Sequence, residues 1–143
     1  MIEVNYKLLT EAAKPPAGQV DGDAGLDLSA VSQEIIQPGD YASIGTGVAI
    51  ELPRGMMGLV LPRSGLALKF GISLVNSPGL IDSGYRGEIR VLLMNNGKKP
   101  FAISPGDRIA QLVILGHAEV LLKEVSELGA SERGDGGFGH TGR

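Results

Sequence analysis

Along most of the chain, apolar residues recur in short runs with the two-residue period of strands. These runs are rich in Val, Ile and Leu and are bounded by turn residues, so they read as strands. The pattern predicts strands near 3–9, 25–30, 33–37, 42–51, 56–61, 72–75, 88–95, 101–103, 109–115 and 118–125. Gln37-Pro38-Gly39-Asp40 and Ser104-Pro105-Gly106-Asp107 each place Pro and Gly at the central turn positions, the type II signature. Leu52–Gly55 and Asn95–Pro100 punctuate the chain in the same way. One stretch fits a helix, Ser64 to Gly71, with the glycine placed to end it. Many short, closely spaced strands predict an all-β sandwich, jelly roll or barrel. Composition changes only after about residue 126.

The chain has 143 residues, the size of a single domain. Aromatics make up 4% with no Trp, while Gly accounts for 22 residues. The core must therefore be aliphatic, on a backbone that turns often. There is no cysteine, which excludes disulfides and thiolate metal sites. A net charge of −3 argues against gripping nucleic acid but leaves room for a small anion held by a few converging arginines. No apolar run is long enough to span a membrane, and residues 1–14 lack the features of a targeting peptide, so a cytoplasmic protein is expected. His117 and His140 have no zinc-ligand spacing, and there is no G-x-S-x-G elbow.

Four internal stretches combine glycine with polar residues where plain strands would not need them: DAGLDLSA (23–30), PRSGLALK (62–69), NSPGLIDSGYRGE (76–88) and GDRIAQL (106–112). The third should be a long hairpin loop, with Asp82 either a tuned general base or the cap of an Asx turn. Arg63 and Ser64 at the helix start suit a phosphate, or simply an N-cap serine beside a solvated arginine. Asp107, Arg108 and Gln111 read as a turn with a surface ion pair, or as part of a site. Leu26 and Leu28 should face the core and Asp27 the other side, where it is an edge-strand carboxylate or lies near a hydrated Mg²⁺. The tail, RGDGGFGHTGR (133–143), contains a formal G-x-G-x-x-G and an Arg-Gly-Asp. Neither has its proper setting: no helix can follow the glycines, and nothing marks the chain for secretion.

In order, AGLDLSA, PRSGLALK, NSPGLIDSGYRGE, GDRIAQL and the tail resemble the five motifs of the trimeric dUTP diphosphatases (dUTPases), over residues 24–143. The resemblance implies an all-β, jelly-roll-like subunit with one short helix, in which residues 1–127 form the domain and 128–143 a Gly-rich lid. It implies a homotrimer with shared active sites, and hydrolysis of dUTP to dUMP and pyrophosphate with Mg²⁺, lowering dUTP and supplying dUMP for thymidylate synthesis. In that family pattern Asp82 matches the general base for the attacking water. Tyr85 matches the residue under the deoxyribose and Asn76 the one that bonds uracil, with Leu80, Ile81 and Arg90 completing the base and sugar pocket. Arg63, Ser64, Gly65 and Gln111 match the phosphate segment, and Asp27 a carboxylate that meets the metal through water. In the tail, Arg133, Gly139 and Thr141 match phosphate-binding positions and Phe138 the residue that stacks on uracil. The chain departs from the pattern at Gly84, Asp135 and His140. A dCTP deaminase of the same fold, or a non-catalytic nucleotide-responsive binding protein, are the alternatives.

Overall fold

The computed structural model describes residues 2–137. It contains eleven strands and one helix: β1 (Asn5–Leu8), β2 (Leu26–Ser29), β3 (Glu34–Ile36), β4 (Tyr41–Gly45), β5 (Val48–Glu51), β6 (Met56–Leu61), α1 (Ser64–Phe70), β7 (Ile72–Leu74), β8 (Gly79–Ile81), β9 (Arg90–Asn95), β10 (Phe101–Ile103) and β11 (Arg108–Gly116). A four-stranded sheet, β2-β11-β6-β8, and a three-stranded sheet, β4-β9-β7, are joined by the pairs β1-β5 and β10-β3. Every pairing is antiparallel. They enclose one aliphatic core, in which Leu28, Ile44, Ile72, Leu93, Ile103 and Leu112 are almost wholly buried. The all-β, jelly-roll-like architecture expected from the short runs is the one observed.

The turn chemistry behaves as its residue types require. Asp40 N–H donates to Gln37 O at 3.0 Å and Asp107 N–H to Ser104 O at 3.0 Å. The third turn residues, Gly39 and Gly106, have φ of 84° and 89°. That left-handed geometry defines the type II turn and suits glycine. Helix α1 ends where expected: Gly71 is left-handed (φ 71°) and its N–H donates to Ala67 O and Leu66 O. No residue of α1 is buried.

Three expectations need correction. The run 42–51 is two strands, not one. Between them Thr46, fully buried, donates its hydroxyl to Ile89 O at 2.6 Å, and Gly47 adopts φ 65°. The run 118–125 forms no strand. Val120, Leu121 and Leu122 are exposed, Leu121 by 94%. Strand propensity is a fit to a half-buried pleated surface, and within the described residues this run pairs with no strand. Conversely, the expected loop 76–88 contains β8, which pairs with β6 through Gly79, Leu80 and Ile81. The connection from β7 to β9 therefore leaves one sheet, adds a strand to the other, and returns.

Among the described residues the one buried side-chain amide, Asn95, uses both of its donors and its oxygen. Asn95 Nδ2 donates to Ile36 O (2.8 Å) and Lys99 O (2.9 Å), and its Oδ1 accepts from Gly97 N–H (2.9 Å). It ties β9 to β3 and closes the turn into β10.

Candidate functional site

The excursion through β8 opens a cavity of about 400 Å³ between the two sheets. Asn76, Leu80, Ile81, Asp82, Tyr85 and Arg90 all line it. Period-two alternation in β8 turns Ile81 into the core and leaves Leu80 exposed. Asp82 follows at the strand end and opens a turn, Tyr85 N–H donating to Asp82 O at 3.0 Å. The backbone carbonyl makes that bond, while the Asp82 carboxylate stands exposed at the cavity wall. The Asx-turn reading of Asp82 therefore gives way: its side chain is available.

Tyr85 folds back over the loop, and its hydroxyl donates to Glu88 O at 2.8 Å. Arg90, first residue of β9, donates from Nε to Ser43 Oγ (2.9 Å) and through its terminal nitrogens to Ser43 O (2.8 Å) and Glu88 (2.9 Å). Ser43 and Glu88 also line the cavity, and sequence reasoning missed both. Glu88 was findable, since the expected strand 88–95 puts it two residues before Arg90 and hence on the same face. Ser43 was not, because its place depends on the β4–β9 register.

A second cavity, about 280 Å³, is lined by Gln19, Asp23, Asp27, Arg63, Ser64, Gly65 and Gln111, among others. Gln111 on β11 lies between Asp27 of β2 and Leu61 of β6, and its Nε2 donates to Pro62 O at 2.8 Å. Gly25 leaves room beside it, since a Cβ there would meet the Gln111 carboxamide and make that side chain shift. Leu28 does face the core, with Asp27 on the opposite face. That face is not open solvent, however. Asp27 is 14% exposed and bridges Arg63 Nε (2.9 Å) and Arg108 (3.2 Å). Arg63 also donates to Arg108 O at 3.0 Å. Asp27 does lie on an edge strand, since β2 ends the four-stranded sheet, but its carboxylate orients two arginines instead of standing in solvent. The edge itself is covered, since Asp27 N–H donates to Ala17 O.

Ser64 is the first helical residue, not the cap. Arg63 holds the cap position in extended geometry, with no side-chain cap bond. Asp107 does not pair with Arg108; its carboxylate accepts the Ser104 N–H at 2.8 Å and closes the turn. Arg133 lines neither cavity and donates to Gly136 O at 2.8 Å in a local turn. Phe138, Gly139 and Thr141 lie outside the described residues.

The two cavities share no lining residue. The first carries an exposed carboxylate, a tyrosine and an amide, the tools of water activation and base recognition. The second carries arginine, a serine hydroxyl and a glutamine, the donors an oxyanion needs. Among the described residues no three acidic or histidine side chains converge to cage a metal ion. Of the carboxylates in the second cavity, Asp27 is held by two arginines and Asp23 accepts the Gln19 and Val20 N–H groups, so a Mg²⁺ there would keep its waters and take its direct ligands from phosphate. On the surface, the mutual hydrogen bonds of Arg54 and Glu119 lower the Glu119 pKa and raise that of Arg54.

Comparison with known proteins gives one answer. The dUTPase family profile matches residues 11–142. A deoxyuridine 5'-triphosphate nucleotidohydrolase of Clostridium acetobutylicum is 48% identical over 142 residues, covering 99% of this chain and 98% of its own. One from Gloeobacter violaceus is 55% identical over 143 residues, covering 99% and 97%. Among solved structures, a variant of the Staphylococcus bacteriophage 80alpha dUTPase with dUpNHpp superposes with a TM-score of 0.93 at 29% identity, covering all of both chains. A variant dUTPase from phage phi11 of S. aureus, described with a structural Mg(II) ion, gives 0.84 at 28%, covering 90% of this chain and 100% of its own.

Proposed function

The chain belongs to the dUTPase family, and from that premise we propose that it hydrolyses dUTP to dUMP and pyrophosphate. The observation that carries this reading is the convergence of Asn76, Asp82 and Tyr85 on one cavity, with the Asp82 carboxylate exposed within it. Asp82 accepts a proton from water as that water's oxygen attacks the α-phosphorus. The bond from that phosphorus to the bridging oxygen breaks, and pyrophosphate leaves. No protein nucleophile is needed, because phosphoryl chemistry depends chiefly on positioning and charge neutralisation.

The side chain of Asn76 offers uracil a donor and an acceptor. Leu80 and Ile81 wall the base, and the Tyr85 ring closes the sugar end. A pocket that reads uracil by hydrogen bonds strongly disfavours an analogue that leaves those groups unpaired. Arg63, Ser64, Gly65 and Gln111 receive phosphate oxygens, and Asp27 fixes the approach of Arg63. Mg²⁺, when bound, would neutralise the triphosphate, with Asp27 reaching it through water. In the tail, Arg133 adds charge and Phe138 stacks on the base, with Gly139 and Thr141 at the phosphates.

The separation of the two cavities supports a homotrimer whose sites draw on more than one subunit, so that the Asp82 cavity of one chain meets the Arg63 cavity of another. Pyrophosphate release from dUTP, dTTP, dCTP and UTP with Mg²⁺ tests the activity. Release from dUTP well above the other three is expected. Ammonia from dCTP without pyrophosphate from dUTP would make the protein a deaminase, and tight dUTP binding without turnover would make it a binding protein.

A further inference from the structure

We propose that Glu88 is a positioning residue for substrate selection, holding Arg90 and Tyr85 as fixed walls of the first cavity. This rests on reading that cavity as the base and sugar pocket. One Glu88 oxygen accepts from Arg90 at 2.9 Å, and the other accepts the Gly47 N–H at 2.8 Å. The Glu88 backbone carbonyl accepts the Tyr85 hydroxyl at 2.8 Å. One residue thus anchors both the tyrosine and the arginine, and is itself anchored to the bend between β4 and β5.

The surrounding glycines leave room for this arrangement and little else. A Cβ on Gly45 would come within 2.7 Å of a Glu88 carboxylate oxygen and 3.2 Å of an Arg90 nitrogen. A Cβ on Gly87 would come within 2.6 Å of Cζ of the Tyr85 ring. Ser43 takes two more Arg90 hydrogen bonds, so all three guanidinium nitrogens are engaged. Arg90, with its charge balanced by Glu88, is a planar wall suited to a neutral sugar or base rather than a grip for phosphate. Rigid walls are what discriminate a deoxyribose from a ribose by shape; a slack wall tolerates the extra oxygen.

The test compares wild type, Glu88→Gln and Arg90→Lys for kcat and KM on dUTP and UTP, with the melting temperature of each. The single amide oxygen of glutamine serves Gly47 or Arg90, not both. Losing one charged hydrogen bond predicts a rise of about five- to tenfold in KM for dUTP, with kcat within about twofold. The dUTP-to-UTP ratio of kcat/KM should fall by roughly tenfold as the wall loosens. Arg90→Lys, which leaves the Glu88–Gly47 bond in place, should lower the ratio likewise. Equal losses on both substrates, tracking a lowered melting temperature, would reduce Glu88 to a structural residue. Unchanged KM and ratio in Glu88→Gln would overturn the proposal outright. Failure of the wild type to release pyrophosphate from dUTP, or equal use of UTP, would instead sink the underlying reading of the cavity.

Discussion

Asp82 owes its position to a single strand end. Ile81 is anchored in the core, the Asp82 carbonyl is committed to the turn, and the carboxylate is left over. Replacing it with asparagine keeps the shape and the backbone bond but removes the proton acceptor. Turnover of dUTP by Asp82→Asn should fall by about 10²- to 10⁴-fold, while dUTP affinity by calorimetry stays within a few-fold. Full turnover in that variant would exclude Asp82 as the base. Asp27 is its opposite, a carboxylate held by Arg63 and Arg108. Asp27→Asn weakens the hold on both arginines, so KM for dUTP should rise more than kcat falls. Steady-state kinetics separate the two parameters, and a loss confined to kcat would contradict the orienting role.

Helix α1 is closed by a glycine with no substitute. Gly71 ends α1 in left-handed geometry, and a Cβ there would come within 2.9 Å of the Gly97 backbone nitrogen. Gly71→Ala should therefore destabilise the fold by about 1–3 kcal/mol, read as a lowered denaturation midpoint. A midpoint equal to the wild type would mean the cap relaxes freely. The tail is a different kind of element. Residues 117–137 form no regular secondary structure, and among the described residues Arg133 bonds only within its own turn. Deleting residues 133–143 should leave the circular dichroism spectrum and melting temperature unchanged and lower kcat/KM at least tenfold, through lost charge and stacking. Unchanged kinetics would make the tail dispensable.

At the scale of the molecule, one protomer has more apolar surface than it can cover. Leu68 on α1 is 88% exposed, and Leu121, Leu122 and Leu128 are exposed almost entirely. Together with the separated cavities, this leaves surface for the homotrimer proposed above. Sedimentation should give three times the mass of one 14.9 kDa chain, and a fully active monomer would refute shared sites.

The strand periods, the Pro-Gly turns and the Gly71 helix stop were all legible in the chain, because each depends on residues within a few positions of one another. So was the list of Asn76, Asp82 and Tyr85, because one loop carries all three. The break at Thr46–Gly47, the return of Gly79–Ile81 to β6, and the place of Ser43 were not. Nor was the capture of Asp27 by Arg63 and Arg108. Each depends on pairings between distant segments, such as Ser43 with Arg90, where the sheet register decides which groups meet. Local pattern determines which residues want to be strands and turns; only the packed sheets determine which side chains share a cavity, because a shift of one position would turn each to the other face.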